Sequence, residues 1–379
     1  MSLHLPTVVA AASLATWIYL VVARGAFWRV RLRGAGVLQR SLKVTAVVPA
    51  RNEEDVIERA VKSLVGQAGV SVRVIVVDDN STDATAERAR AAGAEVVHGE
   101  SLPDGWSGKV WAMQQGLSVA LQSNPDYVLF TDADIEHLAS NVASLAAIAE
   151  EDGNALTSYM VRLHCEKAPE KLLIPAFVFF FFMLCPPKWI ANMRTKTAGA
   201  AGGCMLVRPS ELRRIGGLER IRGEIIDDCS LAREIKKSGQ RVWLGLTDSA
   251  KSIRPYDTFG EVGRMISRTA FNQLRHSFSV LLGTVIGLLL TYVAPVAVLF
   301  SGETPAATMG AAALVLMIAA YIPAVSFYRL GPQWAMTLPL AAIFYMGATV
   351  KSAIDYWANR GGQWKGRTQD RAAGATHAK

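Results

Sequence analysis

The sequence predicts an α/β domain with a doubly wound, mostly parallel sheet, placed between long apolar helices. Two observations lead to this prediction. Short β-branched runs alternate with amphipathic helical segments from residue 44 onward, and long uncharged stretches occupy both ends of the chain. Apolar residues make up 51% of the chain and the mean hydropathy is +0.23, both high for a protein surrounded only by water. A polar body therefore lies between hydrophobic ends.

The first apolar stretch, residues 5–23, carries no charge and is long enough to cross about 30 Å of hydrocarbon. A cleaved signal peptide would need basic residues before this stretch, whereas here they follow it. Residues 1–24 are therefore predicted to be an uncleaved transmembrane anchor, and 25–43 a basic juxtamembrane linker on the cytoplasmic side. The net charge of +8 fits an anionic membrane surface better than nucleic acid, because no aromatic-basic recognition module appears.

Three more apolar stretches, near 280–300, 309–328 and 333–350, predict C-terminal membrane helices within 278–350. Three crossings from a cytoplasmic body would put the tail 351–379 outside, yet its basic residues favour the inside. Either one stretch is re-entrant or interfacial, or the charge rule fails here. We expect a multi-pass protein of the inner cell membrane with a cytoplasmic polar domain.

The segment 172–187 contains five phenylalanines and is bracketed by prolines. It is short for a crossing, so we interpret it as an apolar insert that lies in the membrane interface. A buried core helix is the alternative interpretation of the same pattern.

Within the polar body, strands are predicted at 44–48, 72–77, 95–97 and 127–131, with helices at 57–65, 82–93 and 110–121. Ligands of such sheets bind beyond the carboxyl ends of the parallel strands. Polar side chains follow three of these strands: Arg51, Glu53, Asp78, Asp79, Asp132 and Asp134. Their position predicts a binding site at that edge.

Asp132 and Asp134 flank Ala133 after a buried strand, and their carboxylates converge if the chain turns there. Such a pair suits Mg²⁺ or Mn²⁺ shared with phosphate oxygens. Lys109 opens a helix after a glycine-containing loop, where an ammonium and backbone amides can hold a diphosphate. A solvated lysine is the simpler alternative.

Asp227 and Asp228 begin another predicted helix. Acids at a helix N-terminus are ordinary capping groups, but a carboxylate aimed at a substrate hydroxyl can act as a general base. The small residues of 199–204 predict either a backbone that lines a binding site or a flexible loop.

Several segments together resemble the family 2 glycosyltransferases: 47–54, 76–85, 105–109, 131–134, 199–204 and 226–239. These are inverting enzymes with the GT-A nucleotide-sugar fold, and the resemblance covers about 44–277. The loop LPDGWSGK, the phenylalanine-rich insert, the late apolar helices and 364–367 narrow it further. They resemble the membrane-bound, hopene-associated glycosyltransferases of bacteria, which are relatives of ceramide glucosyltransferases.

The resemblance implies a role for each matching residue. Nucleotide binding would fall to Pro49, Ala50, Arg51, Glu53, Asp78, Asp79, Lys109 and Asp132, with Asp79 reading the uracil and Lys109 the diphosphate. Asp134, with Asp132, would hold a divalent metal, Mn²⁺ or Mg²⁺. Asp228, beside Asp227, would be the catalytic base.

One departure concerns the Gln-x-x-Arg-Trp motif of many membrane-bound relatives. The nearest stretch, 264–269, lacks both its Gln and its Trp, so a processive polysaccharide synthase is disfavoured. Arg264 or Arg268 is left as a candidate contact for the diphosphate.

The resemblance therefore predicts transfer of a sugar from a UDP-sugar to a lipid hydroxyl, with a hopanoid as the acceptor that family analogy suggests. Two alternatives stay open. One is a polyprenyl-phosphate glycosyltransferase, and the other is a transporter or membrane scaffold with a degenerate GT-A domain.

Overall fold

The structure, a computed structural model, describes residues 4–34, 36, 38–358 and 360, together with the backbone of 363–364 and 367–368. The chain divides into two compact units. The sheet unit contains Arg31–His164 and Trp189–Arg254. The helical unit contains the first helix, Cys165–Lys188 and the chain from Pro255 to residue 361.

One sheet of eight strands forms the centre of the sheet unit. The strands are β1 (Leu42–Ala50), β2 (Val70–Asp78), β3 (Glu95–His98), β4 (Tyr127–Phe130), β5 (Ile135–His137), β6 (Leu156–Arg162), β7 (Met205–Val207) and β8 (Val242–Ser252). A separate antiparallel pair comprises β9 (Gln363–Trp364) and β10 (Arg367–Thr368).

The helices of the described chain are α1 (Leu5–Val22), α2 (Ile57–Val65), α3 (Thr85–Ala91), α4 (Gly108–Gln122), α5 (Asn141–Asp152), α6 (Ala168–Leu184), α7 (Pro187–Ala191), α8 (Pro209–Arg214), α9 (Asp227–Lys237), α10 (Phe259–Gln273), α11 (Phe278–Leu288), α12 (Ala294–Ala297), α13 (Thr304–Phe327) and α14 (Leu338–Trp357).

The sheet is mixed, and four of its seven strand pairings are parallel, including that of β6 with β8. Its order is β3-β2-β1-β4-β7-β6-β8-β5, and the first four strands are parallel to one another. β7 runs antiparallel to both of its neighbours, and β5 runs antiparallel to β8. The predicted strands and helices of the N-terminal half are present, and their parallel pairing brings the ends of β1, β2 and β4 to one edge.

Helix α4 packs very closely on the sheet at Gly116. A Cβ at this position would lie 2.4 Å from Val47 Cγ1 and 2.8 Å from Val77 Cγ2, so only glycine permits the approach. The contact fixes α4 against β1 and β2, and with it the position of Lys109 in the first turn of the helix.

Five helical segments in the described residues are long and apolar enough to cross a membrane: Leu5–Val22, Ala168–Ala191, Phe278–Phe300, Thr304–Phe327 and Pro332–Trp357. The predicted tail 351–379 begins inside the last of them, and most of it lies outside the described residues. Lys365 and Gly366, on which part of the family resemblance rests, also lie outside the described residues.

The phenylalanine-rich segment differs from its interpretation as a short interfacial insert. It is part of α6, and Phe179 and Phe180 are buried against aromatic rings of the helical unit. The ring centroid of Phe179 lies 5.1 Å from that of Tyr321, and the centroid of Phe180 lies 5.0 Å from that of Tyr345. Because its rings pack on other helices, the segment belongs to the helical unit, as does α10. The predicted domain 44–277 therefore includes two segments, α6 and α10, that belong to the helical unit.

Candidate active site

The carboxyl edge of the parallel strands carries the residues expected to bind a nucleotide. Pro49 and Ala50 are the last two residues of β1 and pair in register with Val77 and Asp78 of β2. The carbonyl oxygen of Ala50 accepts a hydrogen bond of 2.8 Å from the backbone N–H of Asp79. These backbone contacts hold the two strand ends together at the predicted nucleotide site.

Arg51 and Asp79 form a buried pair just beyond these strands. The Arg51 guanidinium donates to the backbone oxygen of Asp79, and its Nη1 lies 3.7 Å from the Asp79 carboxylate. Asp79 is only 1% exposed, and Asp78 beside it is also buried. The carboxylate of Asp78 lies 3.8 Å from His98 Nδ1 at the end of the neighbouring strand.

Lys109 connects the two aspartate pairs. Its ammonium lies 2.8 Å from an Asp132 oxygen and 3.3 Å from an Asp227 oxygen. Burial alone would lower the pKa of Lys109, but the charges of Asp132 and Asp227 together raise it above its ordinary value. Lys109 is therefore a permanent positive charge between two acids that are far apart in sequence.

Gly202 lies at the centre of this cluster. Its backbone N–H donates a 2.9 Å hydrogen bond to Asp228, and a Cβ at this position would lie 3.2 Å from Lys109 Nζ. The same Cβ would lie 3.6 Å from an oxygen of Asp228 and 3.7 Å from an oxygen of Asp132. The backbone of Gly202 therefore lies directly against three of the candidate site residues.

Asp228 differs from its neighbour in what holds it. Its two oxygens accept hydrogen bonds from the backbone N–H groups of Gly202, at 2.9 Å, and Cys229, at 2.6 Å. Burial and the nearby charge of Asp227 raise its pKa to about 6, although Lys109 acts in the opposite direction. A carboxylate with this pKa is suited to take a proton near neutral pH.

Asp134 is held by Arg254, a residue that no sequence pattern had singled out. β8 pairs with β5 so that Ile253 N–H donates to the Asp134 carbonyl, which brings Arg254 alongside. Arg254 Nε donates to the Asp134 carboxylate at 3.1 Å, and its other end pairs with Glu53. Burial and the charge of Asp132 raise the pKa of Asp134. Arg264 and Arg268, the expected candidates, lie on α10 in the helical unit.

A buried polar network lies behind the Asp132–Asp134 turn. The Thr131 hydroxyl donates to the Gly203 carbonyl at 2.7 Å and lies 3.1 Å from His137 Nε2. The other ring nitrogen of His137 lies 2.9 Å from the side-chain amide of Asn141. Burial lowers the pKa of His137 to about 4, so the ring is neutral and connects Thr131, just after β4, to Asn141 at the start of α5.

Helix α9 also holds the chain that leads into the glycine loop, 199–204. Lys236, near its C-terminal end, donates to the carbonyls of Trp189, Ile190 and Thr197 at 2.6–3.0 Å. One helix therefore carries Asp228 at its beginning and a lysine that holds the 189–197 segment near its end.

The acidic side chains of the site can be compared with the ligands that a divalent metal ion requires. No group of three or more His, Cys, Asp or Glu side chains within the described residues is arranged to hold a metal ion by itself. Mg²⁺-type sites in nucleotide enzymes use only one or two carboxylates, and phosphate oxygens complete the ligand set. Asp132 and Asp134, on either side of a turn at Ala133, fit that partial donor set.

The comparison with protein families decides what kind of domain this is. Residues 45–216 match the family described as "Glycosyl transferase family 2". The chain contains a glycosyltransferase family 2 domain. The match includes the nucleotide-binding candidates, Lys109, Asp132 and Asp134, and it ends before Asp227.

Curated relatives match about a quarter of this chain. A 4,4'-diaponeurosporenoate glycosyltransferase of Staphylococcus haemolyticus is 38% identical over 109 residues, which are 28% of this chain and 28% of that protein. The protein with that name from Staphylococcus aureus is 43% identical over 96 residues, 25% of this chain and 24% of the other. The chain thus spans about a quarter of the length of the curated relatives it matches.

A solved structure with a similar fold covers almost the whole chain. It is a mannosyltransferase from Pyrobaculum calidifontis in complex with GDP-mannose and Mn²⁺, with a TM-score of 0.53 at 19% identity. The similarity covers 93% of this chain and 99% of the other. The predicted GT-A-like α/β fold is confirmed, with a mixed sheet.

Proposed function

We propose that this protein is a membrane-bound inverting glycosyltransferase that moves a sugar from a UDP-sugar to a hydroxyl group of a lipid. The observation that carries the proposal is the arrangement around Lys109. One ammonium joins Asp132 of the first pair to Asp227 of the second, while Asp228 is held apart by backbone amides. This arrangement provides a site for a departing diphosphate beside a separate base.

On the donor side, the end of β1 and the Arg51–Asp79 pair would hold the base and ribose. The buried carboxylate of Asp79, with Asp78, is proposed to read the uracil edge, which offers an N–H donor. Lys109 would then exchange its acidic partners for the diphosphate, so that its positive charge faces the negative charge that develops on the leaving group.

Asp132 and Asp134 would hold a divalent cation together with the diphosphate. Such a cation supplies Lewis-acid stabilisation of the phosphate oxygens. The chain itself supplies the turn at Ala133 that aims both carboxylates at the diphosphate, and Lys109 as a second positive charge.

On the acceptor side, Asp228 would take the proton of the acceptor hydroxyl. The acceptor oxygen forms a bond to the anomeric carbon as the bond to the diphosphate oxygen breaks, so the configuration inverts. Gly202 and Cys229 hold both oxygens of Asp228 through their N–H groups, which fixes the direction in which the carboxylate can accept the proton.

A lipid acceptor at the inner cell membrane is supported by two observations. Five segments of the described chain can cross a membrane by length and composition. The curated relatives are named for 4,4'-diaponeurosporenoate, the anion of a lipid-like carotenoid acid. We propose a cytoplasmic catalytic domain and a polycyclic or linear isoprenoid acceptor, with a hopanoid as the first to test.

The name of the relatives also favours a second candidate, transfer to a lipid carboxylate. A carboxylate, like the phosphate of a polyprenyl phosphate, is already ionised and needs no strong base. The two candidates therefore differ in how much they depend on Asp228.

Isothermal titration of the full-length protein with UDP, with and without Mn²⁺, tests the donor side. Binding that requires the metal is expected, and its absence would refute the transferase proposal. GDP and CDP serve as controls for the base preference.

The acceptor is tested by incubating membranes that contain the protein with radiolabelled nucleotide sugars and extracting the lipids. A labelled lipid with an alkali-stable glycosidic bond supports a hydroxyl acceptor, whereas an alkali-labile ester supports the second candidate. A deletion strain that keeps all of its hopanoid sugar conjugates would exclude the hopanoid.

A further inference from the structure

Arg254 bridges two acids to which the proposed function gives different tasks. Its Nε donates to Asp134, the proposed metal ligand, and its Nη2 pairs with Glu53, in the proposed nucleotide segment. The hydroxyl of Ser252 donates to the same Asp134 oxygen at 3.3 Å. This oxygen therefore accepts two hydrogen bonds from the end of β8.

The bridge places a positive charge where a divalent cation is expected. Two cations at one carboxylate repel each other, and the repulsion is large where water is partly excluded. The side chain of Asp134 is 17% exposed and that of Glu53 is 11% exposed, so screening by water is incomplete. A metal at Asp134 must then share the carboxylate with Arg254 or displace it.

Glu53 gives Arg254 a partner in either case. If the guanidinium moves away from Asp134, it can keep its pair with Glu53 and remain neutralised at the nucleotide side of the site. The site therefore has two arrangements, one in which Arg254 spans both acids and one in which it stays with Glu53 alone.

We propose that Arg254 is a positioning residue that occupies Asp134 in the nucleotide-free enzyme and makes metal binding depend on the nucleotide. The diphosphate brings the oxygens and the negative charge that offset the displacement of Arg254 from Asp134. This inference rests on the proposed function, because it takes Asp134 as a metal ligand.

The test is a measurement of Mn²⁺ affinity on the full-length protein in detergent, by electron paramagnetic resonance of the free ion. In the absence of nucleotide, Arg254→Gln is expected to bind Mn²⁺ about fivefold or more tightly than the wild type, the lower range of typical coupling between sites. With saturating UDP the difference should shrink, because the nucleotide has already displaced the bridge.

Arg33→Gln is the matched control. Arg33 also spans two acids of the sheet unit, Glu151 and Asp152, and its side chain is 30% exposed against 33% for Arg254. It lies outside the proposed site, so its loss should leave Mn²⁺ affinity unchanged. An increase in both variants would mean a general charge effect and would overturn the proposal.

Unchanged or weaker Mn²⁺ affinity in Arg254→Gln would also overturn it, since Arg254 would then have no effect on the metal or would help to bind it. If that variant does not fold, Arg254→Lys decides: lysine cannot span both acids, so an intermediate affinity is expected and wild-type affinity contradicts the proposal. Failure of the wild type to bind Mn²⁺ even with UDP would instead refute the proposed metal-dependent function.

Discussion

Each aspartate pair of the site has one acid that contacts Lys109, but the second acids of the two pairs have different partners. In the turn after β4, Asp132 contacts Lys109 and Asp134 contacts Arg254, so both carboxylates face cations. At the start of α9, Asp227 contacts the same lysine, while Asp228 accepts hydrogen bonds from two backbone N–H groups. Only the second pair contains an acid whose direct partners are neutral. In the proposed mechanism, this difference separates charge binding from proton transfer.

Lys109 connects the two pairs to each other. It contacts one acid of each pair, while the other acid of each pair has a different partner. A diphosphate that binds Lys109 would weaken its hold on Asp132 and Asp227 together, so donor binding affects both halves of the site.

The largest effect is expected for Asp228→Asn. The amide keeps the size of the side chain but cannot take a proton, so turnover with a hydroxyl acceptor should fall about a thousandfold while UDP binding stays the same. Asp126→Asn, an acid of the sheet unit outside the site, is the control. A variant that keeps a tenth or more of the activity would favour an ionised acceptor and would remove the proposed distinction between the pairs.

The next largest effect compares Asp132→Asn with Asp227→Asn. Each variant removes one acid from Lys109, but only Asp132 belongs to the proposed metal site. Asp132→Asn should weaken Mn²⁺-dependent UDP binding roughly ten- to hundredfold, the effect of a lost charged interaction, and Asp227→Asn by much less. Titration calorimetry measures both. Equal losses would mean that the acids act only through the lysine.

A smaller effect concerns pH. The raised pKa of Asp228, about 6, means that the carboxylate is protonated and inactive as a base below that value. The ratio kcat/KM for a hydroxyl acceptor should therefore decrease as the pH falls through about 6, approaching tenfold per pH unit. The residual activity of Asp228→Asn should lack this decrease. The same decrease in the variant would assign it to another group.

The smallest effect on catalysis is expected for Lys236→Met. Loss of the ammonium removes one hydrogen-bond donor from each of three carbonyls, which costs about 1–3 kcal/mol in the free energy of unfolding. Turnover should change only a few-fold, because Gly202 is held separately by Asp228. Thermal unfolding with parallel kinetics checks this, with Lys237→Met as the exposed neighbour for comparison. A thousandfold loss of turnover would show that the glycine loop depends on Lys236.

The sequence predicted the half of the fold in which strands and helices alternate along the chain. β1, β2 and β4 are short apolar runs that end in polar residues, and parallel pairing brings those ends to one edge whatever the rest of the chain does. The position of β7 could not be predicted in the same way. It has only three residues, too few to show a strand periodicity, and it enters the sheet antiparallel to β4, which an alternation of strands and helices does not predict.

The site shows the same limit. Asp132, Asp134 and Lys109 were identified because each follows a recognisable strand end or opens a helix, and Asp228 because the family resemblance assigned it a role. Arg254 gave no signal, since an isolated arginine after a strand is ordinary, and only the β5–β8 pairing brings it to Asp134. The pattern of α6 was misleading because a segment that is apolar on all sides suits either a membrane interface or a helix core.

Gly202 has a consequence for how this protein can lose its activity in nature. Every glycine codon is one base change from an alanine codon, and the added methyl would lie 3.2 Å from the Lys109 ammonium and within 3.7 Å of oxygens of Asp132 and Asp228. Larger side chains such as valine or aspartate are also one base change away and would enter the space between these charged groups, so a random mutational screen for loss of transfer should recover this residue beside the aspartates. Inactivating mutations at Gly202, which has no side chain, would then mark the site as clearly as mutations of its charged residues.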